Sequence, residues 1–472
     1  MRHCVKYLLF SLAIVAVVLA IPGRASAQLG VVAHMGTLPD GATYLIEVPA
    51  NWNGTLFLYS HGYVVPGSPN PAQDFAITDP ATRFFMLSSG FALAGSSYAT
   101  TGWAIQQALP DQIAVLDIFS QTVEMPKRTI AWGHSLGGMI TAGLIQRYPD
   151  RFDAALPMCG VLSGGIATWN TALDSAFVFK TLLGAPGLQV TNITDPVDNL
   201  KLAEGLLAAA AGTAQGRARL SLVAALGDTP GWFTPLSPEP SPTDFADQQM
   251  NQFLWASRVD FPFAFAFRAE LEFRAQGNPS WNTGVDYRRQ FEHSADAAEV
   301  RALYAQAGLD LDADLKMLNE TERIGADPQA ANYLKENITY NGEIHIPVLT
   351  LHTTGDGLVV VQNESAYRDV VGEEGNERFL RRRFISRAGH CAFTPAETIA
   401  AVKALLNRLD TGQWGPLDVT DLNNEAEAVG PSFNIFSSPS GGIVPVAPAF
   451  VKFEPTQYLR PFDADDKDRD DD

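Results

Sequence analysis

The stretch 128-RTIAWGHSLGGMITAGLI-145 changes character halfway along its length. It begins as a short apolar run, breaks at 133-GHSLGG-138 and continues with apolar residues at helical spacing, which predicts a strand, a tight turn and a helix. Ser135 stands at the tip of that turn. Gly133 and Gly137 let neighbouring backbone approach without a clash, and the following helix would point N–H groups and its positive dipole end toward the serine. This combination indicates a nucleophile rather than an ordinary turn residue.

Predicted strands and helices alternate on both sides of this turn. Such alternation predicts an α/β fold with a doubly wound, mostly parallel sheet and helices on both of its faces. The predicted strands are 30–38, 42–50, 54–63, 91–99, 128–133, 152–160, 344–356 and 381–391, and the predicted helices of this region are 109–123, 137–149 and 394–410.

The alternation is interrupted in the middle of the chain. A block this long inside an α/β pattern is an inserted domain rather than a loop, so we predict a mainly helical cap at 166–339. Within it, residues 201–226 are predicted to be helical. The core would consist of residues 28–165 and 340–412. A Pro/Gly-rich C-terminal extension follows at 413–472, and its acidic end is predicted to be a solvated, disordered tail.

The N-terminal segment, residues 1–27, has the features of a secretory signal peptide. It carries two basic residues, then the apolar run 7–21, and it ends in the small residues Ala25-Ser26-Ala27. We expect cleavage to leave a mature protein that begins near Gln28 and is secreted or periplasmic. A retained N-terminal anchor is the alternative.

The composition limits the partners of this chain. The net charge is −19 at pH 7, and 46% of the 472 residues are hydrophobic against 18% that are charged. Such a chain can bury a large core, and its acidity argues against nucleic acid or an anionic membrane as a partner. The apolar run 7–21 is too short and wrongly flanked for a stable membrane span, and the sequence offers no other candidate span. The expected partner is a small-molecule ester or amide substrate, and the oligomeric state stays open, with a monomer compatible with the sequence.

A serine hydroxyl becomes nucleophilic when a base lies within hydrogen-bond reach and an acid orients that base. When the nucleophile occupies a strand-to-helix turn, the acid and then the histidine follow it along the chain. Of eight histidines, His390 alone lies at the end of the last predicted strand, which predicts that it is the base. Asp356, in a Gly-Asp-Gly turn after the preceding strand, is the predicted acid. Asp174, after an earlier strand, is the alternative, and His134 is predicted to be structural.

A third requirement is a pair of hydrogen-bond donors for the oxyanion. The strand 54–63 ends in His61-Gly62-Tyr63, which would lie opposite the serine turn. We predict the backbone N–H groups of Tyr63 and Leu136 as the two donors, with the imidazole of His61 bracing the loop. The sequence contains no HExxH, CxxC, GxGxxG or P-loop motif, so no metal and no cofactor are predicted.

These motifs resemble those of secreted serine hydrolases with the α/β-hydrolase fold. The resemblance covers roughly residues 40–165 and 340–410. The turn 133-GHSLGG-138 is similar to that of lipases, esterases and thioesterases more than to the Gly-Gly-Ser turns of prolyl peptidases, and 389-GHC-391 resembles the feruloyl-esterase and tannase-like group. The resemblance implies a catalytic Ser-Asp-His triad, no cofactor and a cap over the active site.

The resemblance also bears on the cysteines. In the tannase-like group, a cysteine beside the catalytic histidine is bonded to a cysteine beside the serine, whereas here His134 precedes Ser135. The implied pair is instead Cys159 with Cys391, the two cysteines that remain once the signal segment is removed. Two unpaired thiols are the alternative. Because of this departure, the aromatic-ester specificity of that group is not transferred.

Three functions are compatible with the sequence. The first is a secreted carboxylic ester hydrolase that works through an acyl-enzyme on Ser135, and the second is an amidase or peptidase with the same triad. The third is a non-catalytic binding protein that retains the fold. Specificity is expected to reside in the cap, whose aromatic residues predict an apolar or aromatic pocket, although most of them would fill the core of the cap itself. These residues are Trp232, Phe233, Phe261, Phe263, Phe265, Phe267 and Trp281.

Overall fold

The computed structural model describes residues 30–75, 78–184, 186–415, 417–437 and 442–462. The predicted signal peptide and the acidic tail beyond residue 462 lie outside the described residues. Within the described ranges, no helix is both long enough and apolar enough to cross a membrane.

A nine-stranded sheet forms the centre of the fold, in the order β1-β2-β4-β3-β5-β6-β7-β8-β11. The pairs β4–β3, β3–β5, β5–β6, β6–β7 and β7–β8 are parallel, whereas β1–β2, β2–β4 and β8–β11 are antiparallel. The predicted α/β class with a mostly parallel sheet is confirmed. The strands are β1 Val32–Thr37, β2 Thr43–Val48, β3 Thr55–Ser60, β4 Ala92–Ser96, β5 Arg128–His134, β6 Ala154–Met158, β7 Val348–Gly355, β8 Leu380–Ala388 and β11 Phe450–Val451.

Both faces of the sheet are covered, which explains why its central strands are apolar throughout. Every residue of β3, β4 and β6 is buried. Side chains alternate between two apolar cores: Leu56 and Leu58 belong to one, whereas Phe57 and Tyr59 belong to the other. The helices of this part of the chain are α1 Ala72–Phe75, α2 Pro80–Ser88, α3 Ile105–Thr122, α4 Leu136–Arg147, α14 Asn363–Glu373, α15 Pro395–Thr411 and α16 Val419–Val429, together with the 3₁₀ turn Pro149–Arg151.

The block between β6 and β7, called the cap below, is helical and has an apolar core of its own. The predicted helical stretch 201–226 forms two helices rather than one, because the chain turns at Gly212 and the hydroxyl of Thr213 accepts the N–H of Gly216 as a new N-cap. The helices are α5 Gly164–Leu183, α6 Pro196–Ala211, α7 Ala214–Leu226, α8 Phe245–Trp255, α9 Arg268–Ala275, α10 Tyr287–His293, α11 Ala297–Ala307, α12 Leu311–Glu320 and α13 Pro328–Glu336, with π-helical turns at Ala256–Asp260 and Phe263–Phe267.

The C-terminal extension is more ordered than its composition suggests. After α16 it forms a two-stranded hairpin, β9 Ile435–Ser437 and β10 Ile443–Pro445, and then adds β11 to the edge of the main sheet. Its last described residues reach the helical block, where Arg460 forms an ion pair with Asp174 at 2.8 Å. The extension therefore connects one edge of the sheet to the cap.

Candidate active site

Ser135 lies between β5 and α4 in a backbone conformation that non-glycine residues rarely adopt. Its φ is 60° and its ψ is −126°. Such a sparsely populated backbone conformation destabilises the folded state by about 1–3 kcal/mol per residue. It persists only where the surrounding structure holds it in place. Here the N–H of Ser135 donates to the carbonyl oxygen of Met158 on β6 at 3.0 Å, which holds the turn against the neighbouring strand.

The two glycines that flank the serine are required by close packing of backbone. A Cβ atom built on Gly133 or on Gly137 would overlap the carbonyl oxygen of Ser60 at the end of β3. Any larger residue would push the turn away from β3. The small residues noted in the sequence thus let the serine turn and the end of β3 lie in direct contact.

Asp356 and His390 are brought together at the ends of β7 and β8. The imidazole Nδ1 of His390 lies 2.7 Å from Oδ2 of Asp356. The other carboxylate oxygen of Asp356 accepts the N–H groups of Leu358 and Val359, each at 3.0 Å. Asp356 is fully buried, whereas the His390 side chain is 14% exposed. The carboxylate is therefore fixed by three donors and can hold the imidazole in one orientation.

Ser135 lies at the same edge of the sheet as this pair, because the carboxyl ends of the parallel strands β5, β7 and β8 meet there. Among the residues that the structure describes, none forms a hydrogen bond with the Ser135 hydroxyl. The Nε2 atom of His390 instead lies 3.4 Å from the sulfur of Cys391. Catalytic hydrogen bonds are often long or poorly aligned before substrate binds, so the lack of a Ser135–His390 hydrogen bond in the described residues does not argue against a serine–histidine couple.

Cys159 and Cys391 form a disulfide that ties the end of β6 to the histidine loop. Their Cα atoms are 5.4 Å apart, and both residues have positive φ, 42° for Cys159 and 52° for Cys391. Within the described ranges, the only cluster of histidine, cysteine and acidic side chains close enough for a metal ion consists of these two cysteines and His390. Both sulfur atoms are bonded to each other in that cluster, so it is a covalent brace for the histidine loop in this structure.

An apolar cavity of about 150 Å³ opens beside Ser135. Tyr63 and Leu136 line it together with the serine, and a Cβ atom at Gly62 would lie 3.3 Å from the Cβ of Ser135. The N–H groups of Tyr63 and Leu136 donate hydrogen bonds to no residue in the described part of the chain. Two free N–H groups therefore border the serine on the side where the sequence predicted oxyanion donors.

The rest of the cavity wall comes mainly from the cap. Of the aromatic residues predicted for the cap, Phe261, Phe263 and Phe265 line the cavity. The other four aromatic residues do not line the cavity in the described part of the chain; they are Trp232, Phe233, Phe267 and Trp281. The nonpolar residues that sequence reasoning did not assign to the wall include Trp103, Trp169 and Phe253.

The polar wall residues that sequence reasoning missed include Tyr458 and Asp260. Tyr458 comes from the C-terminal extension, and its hydroxyl accepts a hydrogen bond from Thr171 at 3.0 Å. Asp260 ends the first π-helical turn, and burial together with the nearby Asp356 raises its pKa to about 8. No local sequence signal marks either residue, because each reaches the cavity through tertiary packing.

Two other histidines near the site have structural surroundings. His134 faces the hydroxyl of Tyr59 at 3.1 Å, and burial together with His390 lowers its pKa to about 4. His61 stacks on Tyr98 with ring centroids 3.9 Å apart, and burial lowers its pKa to about 4. Both imidazoles are therefore neutral at neutral pH and are occupied in holding the loops around Ser135.

The alternative acid, Asp174, lies on α5 within the cap. It accepts hydrogen bonds from Arg460 at 2.8 Å and from the Tyr287 hydroxyl at 2.9 Å. It is fully buried, and burial raises its pKa even though Arg460 opposes the shift. Asp356, rather than Asp174, is the carboxylate in contact with His390.

Comparison with known proteins gives relatives among hydrolases. Residues 94–174 match the prolyl oligopeptidase family. The chain is 31% identical over 430 residues to the o-phthalyl amidase of Xanthobacter agilis, covering 84% of this chain and 91% of that protein. Among solved structures, an esterase from Aspergillus oryzae shares 15% identity with a TM-score of 0.43, and feruloyl esterase B from the same organism shares 14% with a TM-score of 0.41. Each of these two alignments covers 81% of this chain and 80% of the chain of the solved structure.

Proposed function

Because the chain belongs to the α/β-hydrolase serine hydrolases, in one family with the o-phthalyl amidase of Xanthobacter agilis, we propose that it cleaves an acyl bond through an acyl-enzyme on Ser135. The proposed substrate is a carboxylic ester whose acyl group is aromatic. The observation that carries the proposal is the placement of Ser135, at the tip of a strained turn that opens onto an aromatic-lined cavity.

The proposed chemistry uses the three side chains in sequence. The Ser135 hydroxyl attacks the substrate carbonyl carbon while Nε2 of His390 accepts its proton. The Nδ1–H of His390 donates to Asp356 throughout, which supports the imidazolium that forms. The imidazolium then gives its proton to the leaving oxygen, so the alcohol departs and an acyl-enzyme is left. Water repeats the same steps on the acyl-enzyme, and release of the acid restores the free serine.

The negative oxygen of each tetrahedral intermediate needs donors that are already in place. We assign this role to the N–H groups of Tyr63 and Leu136, which border the serine and are free in the described part of the chain. Loss of one such donor typically costs about 2.7–4 kcal/mol of transition-state stabilisation. Because both donors belong to the backbone, side-chain substitutions at these positions leave the proposed role in place.

The cap supplies the proposed acyl pocket. Phe261, Phe263 and Phe265 line the cavity, and Trp103 and Trp169 add to this aromatic lining. Aromatic rings favour offset-stacked or edge-to-face packing with another ring, so a benzoyl-like acyl group would fit this lining better than a short aliphatic one.

An amide of an aromatic acyl group is the second candidate. It is favoured by the relative that shares 31% identity over most of this chain and is named an amidase. The same triad would serve, with His390 protonating an amine in place of an alcohol. Amide cleavage demands more of that protonation step because an amine is the poorer leaving group.

Matched ester and amide substrates with a common acyl group test both candidates. The series contains acetyl, benzoyl and phthaloyl groups, and Ser135→Ala is the control, with an expected loss in kcat of about 10⁶. Cleavage of benzoyl esters well above acetyl esters, with amides inert, supports the ester proposal. Comparable rates on benzoyl or phthaloyl amides support the amidase. If wild-type enzyme cleaves none of them although a fluorophosphonate probe labels Ser135, the proposed aromatic acyl class is wrong.

Export is a separate proposal. The signal-peptide features of residues 1–27 support it, as does a disulfide of the kind that persists in oxidising compartments. We expect the mature protein to begin near Gln28 outside the cytoplasm. N-terminal sequencing of protein recovered from the periplasm or medium tests this, and an intact Met1 on all of the exported protein contradicts cleavage.

A further inference from the structure

A second histidine–carboxylate pair lies directly behind Asp356. His352 belongs to β7, and its side chain and that of Glu364 are fully buried. Nδ1 of His352 lies 3.2 Å from Oε1 of Glu364, and Nε2 lies 3.7 Å from Oδ2 of Asp356. That oxygen is the one in contact with His390. The pair is therefore connected to the proposed catalytic base through a single carboxylate.

The surroundings of His352 leave both of its ring nitrogens facing acceptors. Besides Glu364 at Nδ1, the carbonyl oxygen of Val359 lies 2.8 Å from Nε2. A neutral imidazole has only one N–H and can satisfy only one of these acceptors, whereas an imidazolium satisfies both. The second oxygen of Glu364 already accepts the hydroxyl of Thr350 at 2.5 Å, so a proton on Glu364 would have to lie on the oxygen that faces Nδ1 of His352.

The alternative is a neutral pair with the proton on Glu364, and the nearby charges oppose it. Burial lowers the pKa of His352, but the hydrogen bond and charge of Glu364, followed by the charge of Asp356, outweigh burial and raise that pKa above its ordinary value. Two carboxylates thus face one imidazole. Placing the proton on the imidazole lets its positive charge interact with both of them.

We propose that His352 is a positioning residue for the reaction: as a buried imidazolium paired with Glu364, it holds Asp356 turned toward His390 and partly compensates the negative charge of that carboxylate. The catalytic meaning of this assignment rests on the proposed function, whereas the charge of His352 does not. His352 itself touches neither the serine nor the cavity, so it acts through Asp356.

The other groups that face this cluster do not supply a competing cation. On β8, the residue opposite His352 is Phe384. From the cap, Asp260 lies close enough to Asp356 for the two charges to interact, and its pKa of about 8 makes it neutral at pH 7. Among the described residues that contact Asp356, His352 and His390 are the only ones able to carry positive charge. His352 would hold its charge permanently, and His390 would change its charge during turnover.

The sign of the expected effect follows from this arrangement. If the imidazolium is lost, the negative charge of Asp356 is less compensated and stabilises the protonated form of His390 more strongly. A higher pH is then needed to free the base. The acidic limb of kcat/KM should therefore move to higher pH when the charge of His352 is removed.

The first test measures the protonation of His352 in the intact wild-type protein. ¹⁵N-histidine labelling with NMR detects whether one or both ring nitrogens carry a proton between about pH 6 and 8. His352→Gln identifies its signals, and His61 and His134, with pKa values of about 4, serve as neutral references in the same spectrum. We expect both nitrogens of His352 to be protonated throughout. A single protonated nitrogen would overturn the proposal, and this readout does not depend on substrate.

The second test is the pH profile of the double variant His352→Gln/Glu364→Gln. It removes both charges while retaining side chains that can form hydrogen bonds, and the lost cation is the charge that lies next to Asp356, at 3.7 Å. We expect its acidic limb to move up by about 0.5–1 pH unit, with kcat lowered about tenfold at pH 7. His293→Gln, an exposed histidine on α10, is the matched control and should leave the profile unchanged. A purely structural role would lower kcat without moving the limb.

The two tests separate failure of this inference from failure of the proposed function. An unshifted acidic limb in an active double variant overturns the positioning role of His352. Absence of turnover in the wild type overturns the proposed function, and the NMR result still decides the charge of His352. If the double variant does not fold, the wild-type spectrum alone decides whether the imidazolium exists.

Discussion

At the residue scale, the candidate site depends on how each carboxylate is surrounded. Asp356 and Asp174 are both fully buried, yet one contacts a histidine and the other an arginine. A carboxylate beside an imidazole can orient a base, whereas a carboxylate clamped by a guanidinium is held as a fixed ion pair. The chemical difference between the two aspartates therefore lies in their partners and not in their burial.

This difference predicts opposite consequences of the same substitution. Asp356→Asn should lower kcat about 10⁴-fold, because an amide fixes the wrong imidazole tautomer while the fold is kept. Asp174→Asn should leave kcat within about threefold but lower the melting temperature, because Arg460 loses its buried counter-ion. Steady-state kinetics and thermal unfolding of both variants check this. A large loss of kcat in Asp174→Asn with a mild effect in Asp356→Asn would reverse the assignment of the acid.

The raised pKa of Asp260 leads us to expect that substrate binding depends on pH. Its pKa of about 8 means that a neutral carboxylic acid lines the cavity at pH 7 and a carboxylate lines it at higher pH. A charge in an apolar cavity disfavours an aromatic acyl group. KM for a benzoyl substrate should therefore rise about fivefold between about pH 7 and about pH 9, and Asp260→Asn should abolish the rise. Parallel KM profiles for the two proteins would show that Asp260 does not titrate in this range.

The side chains at the ends of β5, β7 and β8 could be predicted because each directly follows a predicted strand and lies in a glycine-containing turn. Ser135 is flanked by glycines, Asp356 lies between two glycines, and His390 follows one. The pair behind Asp356 could not be predicted. His352 reads as an ordinary strand residue, and only the packing of α14 against β7 brings Glu364 to it.

At the element scale, the serine turn is held by contacts of backbone with backbone. The end of β3 and the start of α4 approach so closely at Gly137 that no side chain fits between them. The same close approach occurs at Gly133, the next-to-last residue of β5. The three elements β3, β5 and α4 therefore meet at a point where packing tolerates only glycine.

A matched pair of glycine substitutions tests this requirement. Gly137→Ala should cost several kcal/mol or prevent folding, because the new methyl group overlaps backbone atoms that cannot move aside. Gly205→Ala, on the exposed face of α6 with open space around it, should instead stabilise the protein by about 0.5–1 kcal/mol. Denaturant unfolding of both variants provides the measurement. Equal stabilities would show that the turn can relax around a side chain.

The central strands followed from the sequence because strands buried on both faces form short continuous apolar runs, and the core helices followed from apolar residues at period 3.6. Other elements were not predicted, among them α2, α14 and α16, and two further features show why prediction fails. The break in the stretch 201–226 depends on a threonine cap, and β11 is only two residues long. A strand that short has no pattern of its own and exists because β8 offers an edge to pair with.

At the scale of the whole molecule, the C-terminal extension connects parts that are distant in sequence. It adds β11 to the sheet, contributes Tyr458 to the cavity wall and places Arg460 against Asp174 on α5. The cavity is thus enclosed by the core, the cap and the extension together. A Pro/Gly-rich composition predicts a loose segment, and it gives no information on which tertiary contacts would order it.

Arg460→Ala should reveal this connection. The change leaves Asp174 buried without its cation, which typically costs about 3–5 kcal/mol, and it frees the segment that carries Tyr458. We expect a lower melting temperature together with a raised KM for benzoyl substrates. Arg151→Ala, which breaks a solvent-exposed ion pair with Asp117, should change neither property appreciably. An unchanged KM in Arg460→Ala would show that the cavity wall does not depend on the extension.

The bond between Cys159 and Cys391 turns a linear chain into a ring with two tails. The cysteines are 232 positions apart, and the whole cap lies inside the ring, including its exposed proline-rich loop at 236–244. A protease that cuts this loop once opens the ring but does not divide the molecule. Such material would migrate as one band on a gel without reductant and as two bands with it. A nick in the cap therefore creates new chain ends without creating a second molecule.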